Sequence, residues 1–338
     1  MALGDGKNAQ SREIEAEGQR PEAEGQHAEA EGQLLAALEN YRTLADADPD
    51  TCLPDVARVL CDLALLHGND NRCEEAEAEC IEALEVYRAL ADAGPGTYLP
   101  DVARALRTRA WLHDKNGRYE EAGAACAELL EIYRVLADTE PGTYLPNVAR
   151  ALSELAVLRE ASNQHEEAED RLTEALGIYF ELGAEYLPEI AGTVSDLAYV
   201  FDASGQNEQA EEARMTVLEM YRALADANPD TYLPNAAMAL ISLGVMHEGN
   251  DRRKEAEAEF AEALQIYRML AYADPGVYLP GVAGALIDLA RLSAENNEPE
   301  RAKGRLTEAL GIYQKLAETD PDTYMPDVEM VRGYLGAG

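Results

Sequence analysis

The residues that could do chemistry are histidines, cysteines, carboxylates and one set of arginines. His165 is followed by Glu166 and Glu167, and His67, His113 and His247 recur at one place in a repeating pattern. Imidazole beside carboxylate can hold a metal or move a proton. A zinc-hydrolase helix needs a second histidine at a fixed offset, and none follows His165. Residues one repeat apart on packed helices lie about 10 Å from each other, too far to share an ion. The recurrent histidines are therefore read as semi-exposed residues copied with the repeat. The five cysteines, Cys52, Cys61, Cys73, Cys80 and Cys126, are odd in number and irregularly spaced, which argues against a disulfide framework. Cys80 and Cys126 stand where other repeats carry Leu172, Phe260 and Leu306, a packing role. No Gly-rich phosphate loop and no Gly-x-Ser-x-Gly occurs. The expectation is no enzyme, no metal and no cofactor.

The chemistry of recognition is more promising. Arg58, Arg104 and Arg150 are 46 residues apart each time. Each could pair with a neighbouring acid, contributing ~0–1 kcal/mol at an exposed site, or the column could grip carboxylates of an extended peptide. Trp111 is the one tryptophan; it is either a core residue or, if exposed, a binding anchor.

Composition bounds the partner. The 338 residues carry 65 acids against 28 Lys and Arg, a formal charge of −37. Nucleic acid needs phosphate-neutralising cations, so it is a poor partner, as is an anionic lipid surface. No run of about 18 apolar residues occurs. Met1–Lys7 lacks the layout of a secretory leader, so a cytoplasmic protein is the default.

These residues need elements to position them, and the elements repeat. The motif Tyr98-Leu99-Pro100-Asp101-Val102-Ala103 recurs, with the proline of its Leu-Pro or Met-Pro pair at 54, 100, 146, 188, 234, 280 and 326. The spacings are 46, 46, 42, 46, 46 and 46. A fixed period in this range means a solenoid of stacked units. In the second unit Pro100 opens helix A at or near its first turn, with Asp101 at the positive end of the helix dipole. Val102, Leu106 and Leu112 are its apolar positions, and Gly117 ends it near Lys115. Asn71, Asn163, Gly205, Asp251 and Asn297 are equivalent to Gly117, and all tolerate the left-handed conformation. Helix B opens on acids such as Glu120-Glu121, a solvated face, and a second proline (Pro49, Pro95, Pro141, Pro229, Pro275 or Pro321) stops it. A short loop between the two prolines makes consecutive helices antiparallel.

One unit lacks four residues and the second proline, between Tyr179 and Pro188, so helix B should end early, near Gly183. This is either a tolerated deletion or a hinge. Residues 1–27 carry Glu-Ala-Glu-Gly-Gln at a seven-residue period without an apolar seam, which excludes a coiled coil. They read as a solvated acidic tail or an extra capping helix. The repeat array is expected over 28–335, from a partial first unit through about six helix pairs to a short capping helix after Pro326.

Aligned units share small residues at Ala64, Ala110, Ala156, Ala198, Gly244 and Ala290, and again at Ala76, Ala122, Ala168, Ala210, Ala256 and Ala302. A leucine precedes most of the first set, whereas Arg109 takes its place in one unit. This resembles the tetratricopeptide repeat (TPR), in the extended-period variety of kinesin light chains and bacterial arrays, with the extra residues lengthening helix B and the loop between prolines. The resemblance implies an all-α, right-handed superhelical solenoid of antiparallel helix pairs, with helix A lining a concave groove. The second, fifth and ninth positions of each unit would meet a ligand there. Carried over, these include Arg58 and Leu65, then Arg104, Arg107 and Trp111, then Arg150 and Val157, Tyr199, Ile241 and Val245, and Arg291. The groove should be basic at its N-terminal end and apolar toward its C-terminal end. The implied function is a non-catalytic scaffold for a peptide or protein segment. The alternatives are a self-associating assembly module or the sensor array of a larger signalling system.

Overall fold

A proline cannot continue a helix it would have to donate to, but it can open one, because the first N–H of a helix has no acceptor. The computed structural model describes residues 21–336, which form α-helices and one 3-10 turn and no strand. The chain divides into two compact units, one ending at Arg171 and one beginning at Leu172. The first holds α1 (Pro21–Ala45), α2 (Pro49–Asn69), α3 (Cys73–Ala93), α4 (Pro95–Lys115), α5 (Tyr119–Thr139) and α6 (Pro141–Ala161). The boundary falls inside α7 (His165–Leu182). The second holds the 3-10 turn Ala184–Tyr186, α8 (Leu187–Ala203), α9 (Asn207–Ala227), α10 (Pro229–Gly249), α11 (Arg253–Ala273), α12 (Pro275–Glu295), α13 (Pro299–Ala317) and α14 (Pro321–Gly336). From α1 to α6, and again from α8 to α14, each helix packs on the next; α2 also touches α4. Even-numbered helices are A helices and odd-numbered ones B helices.

The segment between the two prolines is helix, not loop. Pro49, Pro95, Pro141, Pro229 and Pro275 are at the first turn of the A helices, and Pro54, Pro100, Pro146, Pro234 and Pro280 lie inside them. Of the Leu-Pro prolines, only Pro188, after the deletion, lies in the first turn of its helix. An internal proline forfeits one hydrogen bond, to the carbonyl four residues back. The extra turn is held instead by ring packing: Tyr133 on α5 stacks with Tyr144 on α6 at 6.3 Å, and Tyr313 on α13 meets Tyr324 on α14 at 6.3 Å. The capping helix starts at Pro321 for the same reason, earlier than expected. Asp101 is thereby displaced from the helix end and pairs with Arg104 instead. At the other end of the chain α1 starts at Pro21; the rest of the N-terminal repeat of Glu-Ala-Glu-Gly-Gln lies outside the described residues.

The turn from A to B follows one design. Asn71, Asn163, Asp251 and Asn297 have φ of 58–59°, and Gly117 and Gly205 have 69° and 78°. Residue 72 donates its N–H to the carbonyl of His67 at 2.8 Å, and residue 118 does so to His113 at 2.8 Å, the bond that ends a helix through a left-handed residue. After the four-residue deletion α7 stops at Leu182, and Gly183 adopts φ 117°.

The aligned small residues are the core. Ala64, Ala76, Ala83, Ala156, Ala168 and Ala175 have no exposed surface, and Cys80 and Cys126 are buried beside them. One pair shows how tight the approach is. A Cβ on Gly244 of α10 would lie 2.5 Å from the Phe260 ring of α11. Phe260 stands where other repeats have Cys80, Cys126, Leu172, Arg214 and Leu306, and Gly244 yields the volume. α12 is long and apolar enough to cross a membrane by length and composition. Its Val282, Ala283, Leu286, Leu289 and Leu292 belong to the core cluster that α11 and α13 complete.

B helices are also joined by a ladder of ion pairs. Arg42–Glu82 (2.5 Å), Arg88–Glu128 (2.6 Å), Arg222–Glu262 (2.5 Å) and Arg268–Glu308 (2.5 Å) link successive repeats. Each side chain is about half exposed, so each pair contributes ~0–1 kcal/mol. In the second unit Phe180 stands at the arginine position, exposed, and Thr216 at the glutamate position.

Gly244→Ala is expected to cost about 1–3 kcal/mol by overpacking. Adding Phe260→Leu should recover most of that loss, since Ala290 with Leu306 is how another repeat fills the same space. Urea denaturation of the two single variants and the double variant measures the coupling; purely additive losses contradict it.

Candidate functional site

Side chains that point off the A helices, away from the B helices, are the ones internal packing leaves over. In the first unit they are mainly arginines, and most are already matched. Arg58 donates to Asp55 at 2.9 Å and lies 3.7 Å from Asp62. Arg104 donates to Asp101 at 2.7 Å and to the Tyr87 hydroxyl at 2.9 Å. Arg107 donates from Nε to Glu154 at 3.3 Å and sits 5.7 Å from the Tyr133 ring centre; its Nη2 is buried without an acceptor. Arg150 is exposed and makes no hydrogen bond or ion pair among the described residues. The residue three before it is Asn147, where Arg58 and Arg104 have aspartates. The arginine column is thus mostly self-neutralised, with Arg150 left open.

Trp111 falls between its two readings. It is half-buried on α4 against the last turn of α2, where a Cβ on Gly68 would lie 2.6 Å from the indole. Lys115 covers its other side, with Nζ 5.4 Å from the ring centre and donating to the Gly68 carbonyl at 2.7 Å. Gly68 is needed for this approach. Leu65 on α2 is exposed and Val157 on α6 half-buried.

The second unit presents a different A-helix surface. Tyr199 on α8 is 55% exposed, and Met238 and Val245 on α10 are 50% and 45% exposed, with Ile241 half-buried between them. Arg291 on α12 is neutralised by Glu248 of α10 and by Asp288, 3.1 Å away. Asp196 of α8 was not among the residues singled out by sequence. Acids occupy its helix position in other repeats, and each has an arginine: Asp62 with Arg58, Glu154 with Arg107, Asp288 with Arg291. Asp196 has none among the described residues. Loss of hydration pushes its carboxyl from 3.8 up to about 6. The missing arginines were visible in the aligned sequence, but only as absences.

The histidines are buried, not semi-exposed. His67 receives carboxylates on both ring nitrogens, Glu79 at 2.9 Å on Nδ1 and Glu31 at 3.0 Å on Nε2. His247 repeats this with Glu259 at 2.8 Å and Glu211 at 3.3 Å. Arg72 and Arg252 share the same oxygen of Glu31 and Glu211 with the histidines, and the Arg72 hydrogen bond holds Glu31 below the ordinary carboxylate range. Both imidazole nitrogens are occupied, so this is an interhelix tie, and no cluster suited to a metal ion exists among the described residues. In the second repeat Ala125 stands where Glu79 and Glu259 stand, and His113 Nδ1 is orphaned. Burial and the nearby Arg118 and Arg109 push His113 down, and Arg109 Nε donates to its Nε2 at 3.3 Å. That gives Arg109, the odd residue of the leucine column, a role. The thiols of Cys80 and Cys126 are pushed up to about 12 by burial, which leaves them protonated and packing.

Tetratricopeptide repeat family models match residues 79–137 and, for a second model, residues 56–94 and 236–271. Among solved structures, BtubC (BKLC) from P. vanneervenii is similar with a TM-score of 0.60 and 21% identity, over 72% of this chain and 92% of that one. Nearly identical TPR-like repeats of a kinesin-light-chain type from Podosopora anserina give 0.52 at 20% identity, over 66% and 98%. The apo form of the quorum sensor NprR from B. thuringiensis gives 0.52 at 14% identity, over 89% and 81%. At these identities the likeness is one of fold. No curated protein sequence matches the chain.

Asp196 also sets a pH dependence. Between about pH 4 and 6 the folded chain binds a proton at Asp196 that the unfolded chain does not, so this group's contribution to stability falls as pH rises through that window. The cost at neutral pH is at most about 3 kcal/mol, less for partial exposure. Asp196→Asn is expected to raise the urea midpoint, more at pH 8 than at pH 5. An unchanged or lower midpoint at pH 8 contradicts the assignment.

Proposed function

We propose that this chain, a tetratricopeptide-repeat protein, is a non-catalytic scaffold that binds a segment of a partner protein along its A-helix surface. One observation carries the reading. The B-facing sides of the A helices are filled by repeat-to-repeat packing, while Arg150 in the first unit and Tyr199, Met238 and Val245 in the second are exposed at the outward positions. Exposed aromatic, Met and Arg side chains are the types that dominate binding energy at interfaces. The outward positions differ within each unit's own surface: the first leaves one cation open, Arg150, and the second presents apolar side chains.

A random peptide library displayed on phage and panned against the full chain tests this. Selected peptides should lose at least tenfold in affinity to a Tyr199→Ala, Val245→Ser variant or to Arg150→Glu. Val135→Ser on a B helix should leave them unaffected. Retained binding to both A-helix variants contradicts the proposal.

A second reading, self-association, has its own observation. At one B-to-A corner Tyr272 is 95% exposed and Met269 and Val277 are exposed beside it, where other repeats have Asp92, Ala89 and Thr97. If copies associate through this corner, sedimentation velocity of the wild type will depend on concentration and that of Tyr272→Asp will not.

A further inference from the structure

The repeats can be compared with one another as though they were separate structures, and the comparison isolates Asp196. Its helix position is acidic in four repeats, and in three of them the chain supplies the cation from one of three places. Arg58 reaches Asp62 from four residues earlier on the same helix, Arg291 reaches Asp288 from three residues later, and Arg107 reaches Glu154 from the preceding A helix. On α8 the residue four earlier is Gly192 and the residue three later is Tyr199. On the following A helix, the position that holds Arg104 beside Tyr87 in the first unit is held by Met238, with Tyr221 in place of Tyr87. The group on α9 that feels the Asp196 charge is the Tyr221 phenol, which makes no hydrogen bond to that carboxylate. The carboxylate is therefore retained while the cations that its own helix supplies in other repeats are replaced by glycine and tyrosine.

We propose that Asp196, with Gly192, Tyr199 and Met238, forms a subsite for a basic side chain, arginine or lysine, of the bound partner segment. The proposal rests on the scaffold reading above and names what one position of that partner must be. The geometry favours it in three ways. A Cβ on Gly192 would meet nothing within 4 Å, so the space beside Asp196 is open to an incoming group. Tyr199 offers an exposed ring face, which attracts a cation within about 6 Å of its centre. Met238 offers half-exposed, polarizable surface to the alkyl stem of a long basic side chain. The carboxylate costs the folded chain stability with no internal return, the pattern of a residue kept for recognition.

The test uses the full chain labelled with methyl-13C methionine, the Met238 signal being assigned with Met238→Leu. The probes are N-acetyl-argininamide and its neutral isostere N-acetyl-citrullinamide. The arginine probe should shift the Met238 methyl saturably, and the citrulline probe should bind at least tenfold more weakly. Asp196→Asn should abolish the shift while raising the denaturation midpoint, two effects that a merely damaged fold cannot combine. Gly192→Arg, which restores the internal partner Asp62 has in Arg58, should also abolish it in a stably folded chain. No saturable Met238 shift, equal shifts from both probes, or a shift that survives Asp196→Asn overturns the proposal. The peptides selected by panning separate the two readings. If they need the A-helix surface but tolerate Asp196→Asn and carry no basic residue, the scaffold stands and the subsite falls. If Met238 responds to the arginine probe but no selected peptide depends on the A-helix surface, the scaffold reading falls instead.

Discussion

Everything in this chain depends on how closely two helices can approach. Side chains no larger than a methyl group at Ala64 and Ala76 and their equivalents let A and B helices touch along their length, and all of those alanines are buried. The left-handed residue at the A-to-B turn then fixes where the second helix must run. Once those two conditions are met, each helix buries its apolar stripe on its neighbours in sequence, and no distant segment is needed to complete the core. A helix used in this way has one further side, and it is free to vary. The contrast between the arginines of α2, α4 and α6 and the Tyr, Met and Val of α8 and α10 is variation of that kind.

The fold was legible because it is written many times. A turn residue that tolerates positive φ appeared at every repeat, and the structure has positive φ at all of Asn71, Gly117, Asn163, Gly205, Asp251 and Asn297. The small residues were buried as their spacing required. The prolines were misread because a local rule was applied alone. Proline after alanine-rich helix B does end that helix, but it also begins the next, and tyrosine stacking keeps the interior proline within a helix that local preference would have started five residues later. Propensity is a weak prior against that much buried ring surface.

The outward-facing positions were less legible, and for a different reason. Each of Arg58, Arg104, Arg107 and Arg291 lies on an A helix as expected, but whether a charge is available depends on its neighbours, which sit three or four residues away or one repeat away. Sequence shows the arginine and not the balance. Asp196 escaped notice for the same reason, since what sets it apart is that no arginine among the described residues pairs with it. The histidines show the converse. His67 and His247 look like copied surface residues until Glu31 and Glu211 arrive from the preceding B helix, 36 residues earlier, to pay for their burial.

The compensations seen here differ in whether they sit inside one hairpin or straddle two. Gly244 and Phe260 belong to a single A–B hairpin, so a duplication of that stretch would carry both the bulky ring and the room for it. The Arg–Glu rungs and the Glu–His–Glu ties draw their members from successive hairpins, so an inserted hairpin completes the rungs only if its own B helix carries both a glutamate and an arginine of the ladder, as Glu82 with Arg88 and Glu262 with Arg268 do. Phe180 with Thr216, which drop a rung together, and Arg109, which takes the His113 nitrogen that a carboxylate takes on His67 and His247, are where the joints depart from the pattern.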